Sequence, residues 1–254
     1  MIKGQGYSMV WEVHPVKIEN NFLVKKDDKN NQSKKYNPFI KNTMEDNMFL
    51  KFIRIKEDNN QEIKNFIEQY GFLRNHNKES LSYIKAEIIC FRAIIKAHLE
   101  LKKSDLLPEE LQLIRAHLDT PEIFLNPILM HENYPLASTN LGRLFDYKDT
   151  EKTKYILNSL LIKYINERIY FVFPVLTMDN NKLSLVWNSK DLISAMYLMF
   201  ALHLAENKIL KKCQNENCNE YFAVKSNDKK IKYCCKKCGR SQRQSEYRKN
   251  EKIK

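Results

Sequence analysis

Cys213, Cys218, Cys234, Cys235 and Cys238 fall within 26 residues of a 254-residue chain that has six cysteines in all. The spacing Cys213-x4-Cys218-x15-Cys234-x3-Cys238 is two close pairs joined by a longer segment. Each pair can form a knuckle whose two sulfurs converge, and the segment between can fold the pairs together, as a tetrahedral Zn²⁺ requires. Four thiolates close the coordination sphere, so one such ion per chain would be structural and not catalytic. Either Cys234 or Cys235 can be the third ligand, with x3 or x2 to Cys238; Cys234 is preferred because it follows Tyr233, whose ring can pack under the knuckle. Reduced thiols without metal, or a redox cluster, are the alternatives. Cys90, between Ile89 and Phe91 on the apolar side of a helical pattern, reads as core.

The segment around these cysteines is poor in apolar side chains: Tyr221, Phe222, Ala223, Val224, Ile231 and Tyr233. Too little burial is available to hold a fold, and zinc binding can supply on the order of 10 kcal/mol in its place. After Gly239 nothing breaks a helix. Along that helix Arg240, Arg243, Gln244, Tyr247 and Arg248 follow one another at i, i+3, i+4, i+7 and i+8, on one face. Such a face suits phosphates, with glutamine and arginine able to reach base edges. Lys229, Lys230, Lys232, Lys236 and Lys237 lie around the knuckles. The whole chain carries 43 Lys/Arg against 31 Asp/Glu, a formal charge of +12. From Lys211 onward the balance is 14 to 5, so +9 of that charge sits in the last 44 residues. A field so concentrated attracts polyanions.

The remaining residues must position this module. Hydrophobic residues are 43% of the chain and aromatics 11%, enough for a real core, while the scarcity of glycine (5) and proline (7) excludes collagen-like or Pro-rich architecture. Tyr7–His14 and Met48–Ile55 alternate roughly and read as strands; 25–37 is polar and reads as a loop. Asp58-Asn-Asn60 forms a turn before a helix from Glu62 to Tyr70, stopped by Gly71. Ser80 reads as the N-cap of a long amphipathic helix bearing Leu81, Ile84, Ile88, Phe91, Ile95 and Leu99, ending at Lys102-Lys103. Further helices are expected from Pro108 to about Leu118 and from Thr153 to Arg168, with 119–150 less regular. Two apolar runs about Asp179-Asn-Asn181 predict a β-hairpin, with Pro174 on an irregular or edge strand. An apolar helix follows from Asp191 to about Leu210 and leads directly into Cys213. The expected fold class is α+β: a mainly helical body with a β-hairpin and one or two further short strands, 1–207, then a small zinc-binding module with a basic helix, 208–254.

Cys213-Gln-Asn-Glu-Asn-Cys218-Asn-Glu-Tyr-Phe222, Lys232-Tyr-Cys234 and Cys238-Gly-Arg240 with its basic helix resemble the CGNR-type zinc finger. The resemblance covers roughly 208–250. In that family the finger ends proteins whose N-terminal region is the ABATE domain, described as stress-induced transcription regulators, and 63–73 and 189–210 are loosely similar to that organisation. It implies zinc on Cys213, Cys218, Cys234 and Cys238 and a DNA-binding C-terminus. The chain departs from the pattern at Cys238-Gly239-Arg240-Ser241, where the asparagine is missing.

Motifs of enzymes are not found: there is no Gly-rich phosphate loop, G-x-S-x-G, H-E-x-x-H or D-x-D-x-D-G. The six histidines are scattered, and His98 and His203 lie on or beside apolar helix faces. The stretch before Trp11 lacks the apolar region of a secretory signal, and the longest apolar run, Leu192–Ala205, is shorter than the ~20 residues that span a bilayer. The expectation is therefore a cytoplasmic, non-enzymatic transcription regulator that binds duplex DNA, with no membrane partner, its body sensing a signal or forming a homodimer. The alternatives are an RNA- or protein-docking zinc knuckle, and an enzyme in the body that the finger targets.

Overall fold

The structure, a computed structural model, describes residues 6–7, 11–26, 34–39, 48–74, 77–118, 149–179, 182–206, 208–218, 220–224 and 230–251. In chain order the elements are β1 (Gly6–Tyr7), β2 (Trp11–Val13), β3 (Val16–Glu19), β4 (Phe22–Lys25), β5 (Lys34–Tyr36), α1 (Met48–Arg54), α2 (Asn60–Tyr70), β6 (Lys78–Ser80), α3 (Leu81–Leu101), α4 (Pro108–Leu118), α5 (Thr150–Arg168), β7 (Val172–Asp179), β8 (Lys182–Ser189), α6 (Leu192–Ala205), β9 (Ile209–Lys212), β10 (Tyr221–Val224) and α7 (Lys236–Glu251). The class is α+β, as the sequence predicts, with small sheets around a helical centre.

Three helices meet at the core. Phe49 of α1 stacks on Phe91 of α3, and Phe91 stacks in turn on Tyr197 of α6 with ring centroids 4.1 Å apart. Phe52, Phe66 and Phe200 close the aromatic cluster around them. Aromatic pairs of this kind add attraction beyond their buried area. One charged pair is taken inside with them. Arg168, near the end of α5, donates to the carboxylate of fully buried Glu87 on α3 at 2.8 Å, and its guanidinium lies over the Tyr197 ring at 5.6 Å.

The stretch 48–55 is not a strand: Met48–Arg54 is helical. Its polar members Lys51 and Arg54 are three residues apart, and Met48, Phe49, Leu50, Phe52 and Ile53 are all buried. That pattern is one polar stripe on an otherwise buried helix. The last carbonyls of α1 are taken from outside: Arg92 of α3 donates Nε to Ile53 O at 2.6 Å and Nη2 to Ile55 O, while its Nη1 meets Glu57. Helix α2 starts at Asn60, two residues ahead of the expected Glu62, capped by Asn59, whose side chain accepts from Gln61 N and Glu62 N. It stops at Gly71, whose φ of +87° and ψ of 175° suit only glycine; a Cβ there would stand 2.7 Å from the Glu12 carbonyl. Ser80 precedes α3 as expected, but its hydroxyl pairs with Ser82 Oγ and does not cap the helix.

Strands β3, β4 and β6 form one antiparallel sheet, and β2 pairs with β5, so Lys34–Tyr36, in the stretch read as a loop, is a strand. Asn20 and Asn21 turn β3 into β4 with positive φ at both, the conformation of a tight two-residue hairpin. The hairpin β7–β8 is antiparallel in register from Val172↔Ser189 to Asp179↔Lys182, with β1 parallel to β8 on its far side. Pro174 thus lies on the edge strand of that sheet. The irregular stretch expected at 119–150 lies, up to residue 148, outside the described residues.

Helix α6 is capped by Asp191, which accepts from Ser194 N at 2.7 Å, and it ends at Ala205. The expected continuation to Leu210 is not helical. Ile209–Lys212 is instead a strand, because its backbone pairs with Tyr221–Val224 beyond the first cysteines. No helix among the described residues is long and apolar enough to cross a membrane.

Candidate metal centre

The β9–β10 ribbon delivers the first knuckle. Cys213 follows directly on β9, and its amide donates to Glu220 O at 2.8 Å. Within the knuckle Cys218 N donates to Asn215 O at 2.8 Å, and the Asn215 side chain accepts from Asn217 N at 2.9 Å, an Asx turn that folds Cys218 back toward Cys213. The second knuckle is the start of α7. Cys234 precedes the helix and Cys238 lies within its first turn, so the last of the four cysteines belongs to the helix itself.

The sulfurs of Cys213, Cys218, Cys234 and Cys238 all lie within 4.8 Å of one another. Cys218 Sγ and Cys234 Sγ are 3.7 Å apart, and Cys234 Sγ and Cys238 Sγ are 3.5 Å apart. A tetrahedron with Zn–S bonds of about 2.3 Å has edges of about 3.8 Å, close to both of these separations, so the four sulfurs are near enough to surround one ion. Cys235, the alternative third ligand, is exposed and is not one of the four; its sulfur accepts from Cys238 N at 3.5 Å. The cluster could thus hold one metal ion on soft thiolate ligands, and when bound the ion would supply cross-linking, since no coordination position is left for a reactant.

Two of the four thiols, Cys234 and Cys238, resist ionising in this company. Burial pushes Cys234 up, and hydrogen bonds from Cys238 and the other sulfurs add to it. Cys238 is pushed up to about 12, again by desolvation first. Cys213 is lowered against the same desolvation, by amide donation from Cys234 and Asn215. A cation at the centre removes the repulsion that keeps these protons in place.

The apolar support is slight. Cys213, Phe222 and Val224 are the buried members of the module's own cluster, with Ile209, Tyr233 and three cysteines packed on them. Tyr233 lies under the knuckle, its ring 3.1 Å from where a Cβ on Gly239 would stand. Two amide side chains that the sequence reading did not single out complete the joint. Asn215 donates Nδ2 to Cys238 O at 2.9 Å, and buried Gln242 accepts from Glu216 N at 3.1 Å while donating to Glu246 at 3.1 Å. Their only signal in sequence was polarity beside a ligand.

The expected basic face is solvent-exposed. Arg240, Arg243, Gln244, Tyr247 and Arg248 are exposed along α7, opposite Gln242, as are Lys230, Lys232, Lys236 and Lys237. Lys229 lies outside the described residues. The module is seated on the body. Leu210 belongs to the main core, Tyr221 and Ala223 pack against it, and Arg54 of α1 donates to Tyr221 O at 3.0 Å with its Nε 3.5 Å from Glu220. No family model matches the chain, and no curated protein or solved structure is similar to it.

Proposed function

We propose that the chain is a zinc-dependent DNA-binding protein, a transcription regulator of the CGNR type, that reads duplex DNA with α7. The observation that carries this reading is the joint between the four-sulfur cluster and the exposed cationic face of one helix: the ligand Cys238 and the anchors Asn215 and Gln242 hold α7 by one side, and Arg240, Arg243, Gln244, Tyr247 and Arg248 occupy the other. A helix so held is presented as a rigid rod of the width a major groove admits. Arginines and the surrounding lysines would neutralise phosphates and supply most of the affinity, and Gln244 with the arginines would meet base edges. Zinc on Cys213, Cys218, Cys234 and Cys238 would keep the rod in place and take no part in a reaction.

Electrophoretic shift of random-sequence duplex DNA, at two salt concentrations, tests this. Affinity is expected to fall steeply with salt, and Arg240→Ala with Arg243→Ala is expected to weaken binding and reduce the slope of log K on log salt by about two. Undiminished affinity in that double variant refutes the role of α7, and tighter binding of a structured RNA competitor moves the target from DNA to RNA.

A further inference from the structure

The β7–β8 hairpin turns an apolar face outward. On one face, beyond Val172↔Ser189 at the base, the cross-strand pairs are Pro174↔Trp187, Leu176↔Leu185 and Met178↔Leu183, all three apolar. Leu176, Met178, Leu183 and Leu185 are exposed at 69, 70, 71 and 40%. The opposite face carries Phe173↔Asn188, the apolar pair Val175↔Val186 with Val186 buried, and nearer the tip the polar pair Thr177↔Ser184 with its two hydroxyls 2.9 Å apart. The outer face of such an antiparallel hairpin is ordinarily polar. The register runs unbroken from Val172↔Ser189 to Asp179↔Lys182, so the apolar side chains of both strands stay together on that outer face.

We infer that this face is a docking surface for a second copy of the chain, so that two hairpins pack face to face about a two-fold axis. Three observations favour that occupant. The four side chains expose on the order of 400 Å² of apolar surface, the size of the largest patch on a soluble protein, which is often an interaction site. Doubled by symmetry and widened by the Pro174↔Trp187 pair, the contact reaches about 1,000 Å², where specific interfaces begin. The face is also self-complementary. It bears no charged side chain in a chain of net charge +12, so it is a surface on which two such copies can approach without opposed lysines, and an isologous contact needs only one patch. Finally, Pro174 has no N–H to offer at the sheet edge, which disfavours strand addition along β7 and leaves the face as the surface to cover.

Sedimentation velocity of the full, metal-loaded chain without nucleic acid tests the inference independently of the DNA reading. A concentration-dependent dimer is expected, unchanged or tightened by added salt, because salt screens the repulsion between copies and touches no ion pair at the contact. Leu176→Glu with Leu183→Lys is expected to give a monomer, with far-UV circular dichroism and thermal midpoint unchanged since both sites are exposed; Leu176→Ala with Leu183→Ala is expected to raise the dimer dissociation constant at least about tenfold. A wild-type chain that stays monomeric, including one that instead binds lipid vesicles through Leu176 and Leu183, overturns the proposal, as does a dimer that both double variants retain or that salt dissolves.

Discussion

The Asn215 side-chain amide donates to the carbonyl of Cys238 at 2.9 Å, tying the first knuckle to the helix that carries the last cysteine. Gln242, one turn further along α7, takes the Glu216 amide and repeats the tie. Buried hydrogen bonds of this kind contribute about 1 kcal/mol each, and removing one partner leaves the other unsatisfied at a cost of about 1–3 kcal/mol. Asn215→Ala and Gln242→Ala are therefore expected to speed amide exchange along α7 by about tenfold or more while leaving metal content at one per chain. Unaltered exchange in both would mean that the cysteines alone orient the helix.

The five clustered cysteines are expected to separate into two classes. Serine at Cys213, Cys218, Cys234 or Cys238 should remove stoichiometric metal and the order of the module, because no other core replaces the ion. Cys235→Ser should retain both, its sulfur lying outside the group. Elemental analysis of the six purified proteins reads the division directly. Metal affinity should also fall as pH falls, since each ligand must release its proton to bind.

Arg168 and Glu87 make a buried pair whose partners cannot be removed singly. Arg168→Ala leaves a fully buried carboxylate without its 2.8 Å donor and is expected to cost about 3–5 kcal/mol, read from urea unfolding. Arg168→Ala with Glu87→Leu should recover part of that loss, because the uncompensated charge is then gone.

Acid should destabilise the body through two histidines. Burial first, then the charge of Lys102, brings His98 from 6.5 down to about 4; burial and then Lys208 do the same to His203. Both abut phenylalanine rings, Phe200 and Phe49. A depressed folded pKa stabilises above the unfolded value, so this contribution is complete above pH 6.5 and is lost as pH falls toward 4. Glu79 acts in the other sense: burial raises it to about 7 from 4.5, despite donation from Leu73 N and Arg74 N, so its contribution is present below pH 4.5 and lost as pH rises through 7. The double variant His98→Gln, His203→Gln should lose less stability than the wild type between pH 6.5 and 4, and Glu79→Gln should lose less between pH 4.5 and 7, both followed by thermal midpoint.

Much of this architecture was legible in residue order. The cysteine spacing specified the knuckles, because four ligands close in sequence are a local pattern. The hairpin declared itself through Asp179-Asn-Asn181 between apolar runs, and α2 through Asn59 and Gly71. Met48–Ile55 misled because so many of its residues are buried that apolar alternation and helical burial look alike; the i, i+3 spacing of Lys51 and Arg54 was the discriminating sign. The strand Ile209–Lys212 was hidden because its partner lies beyond the first knuckle, and an apolar helix running into it reads on without a break. Asn215 and Gln242 were invisible for a different reason: an amide side chain has no spacing rule, and its partner 23 or 26 residues away is chosen by the fold.

Arg54 grips the Tyr221 carbonyl from α1, and Leu210 is sunk among body residues. The cysteine unit is thus bolted to its chassis and does not swing on a tether. Its bearing relative to the helices behind it is set by α1, and excising the tail at residue 208 would strip a lid from those helices as well as uncover the underside of the tail.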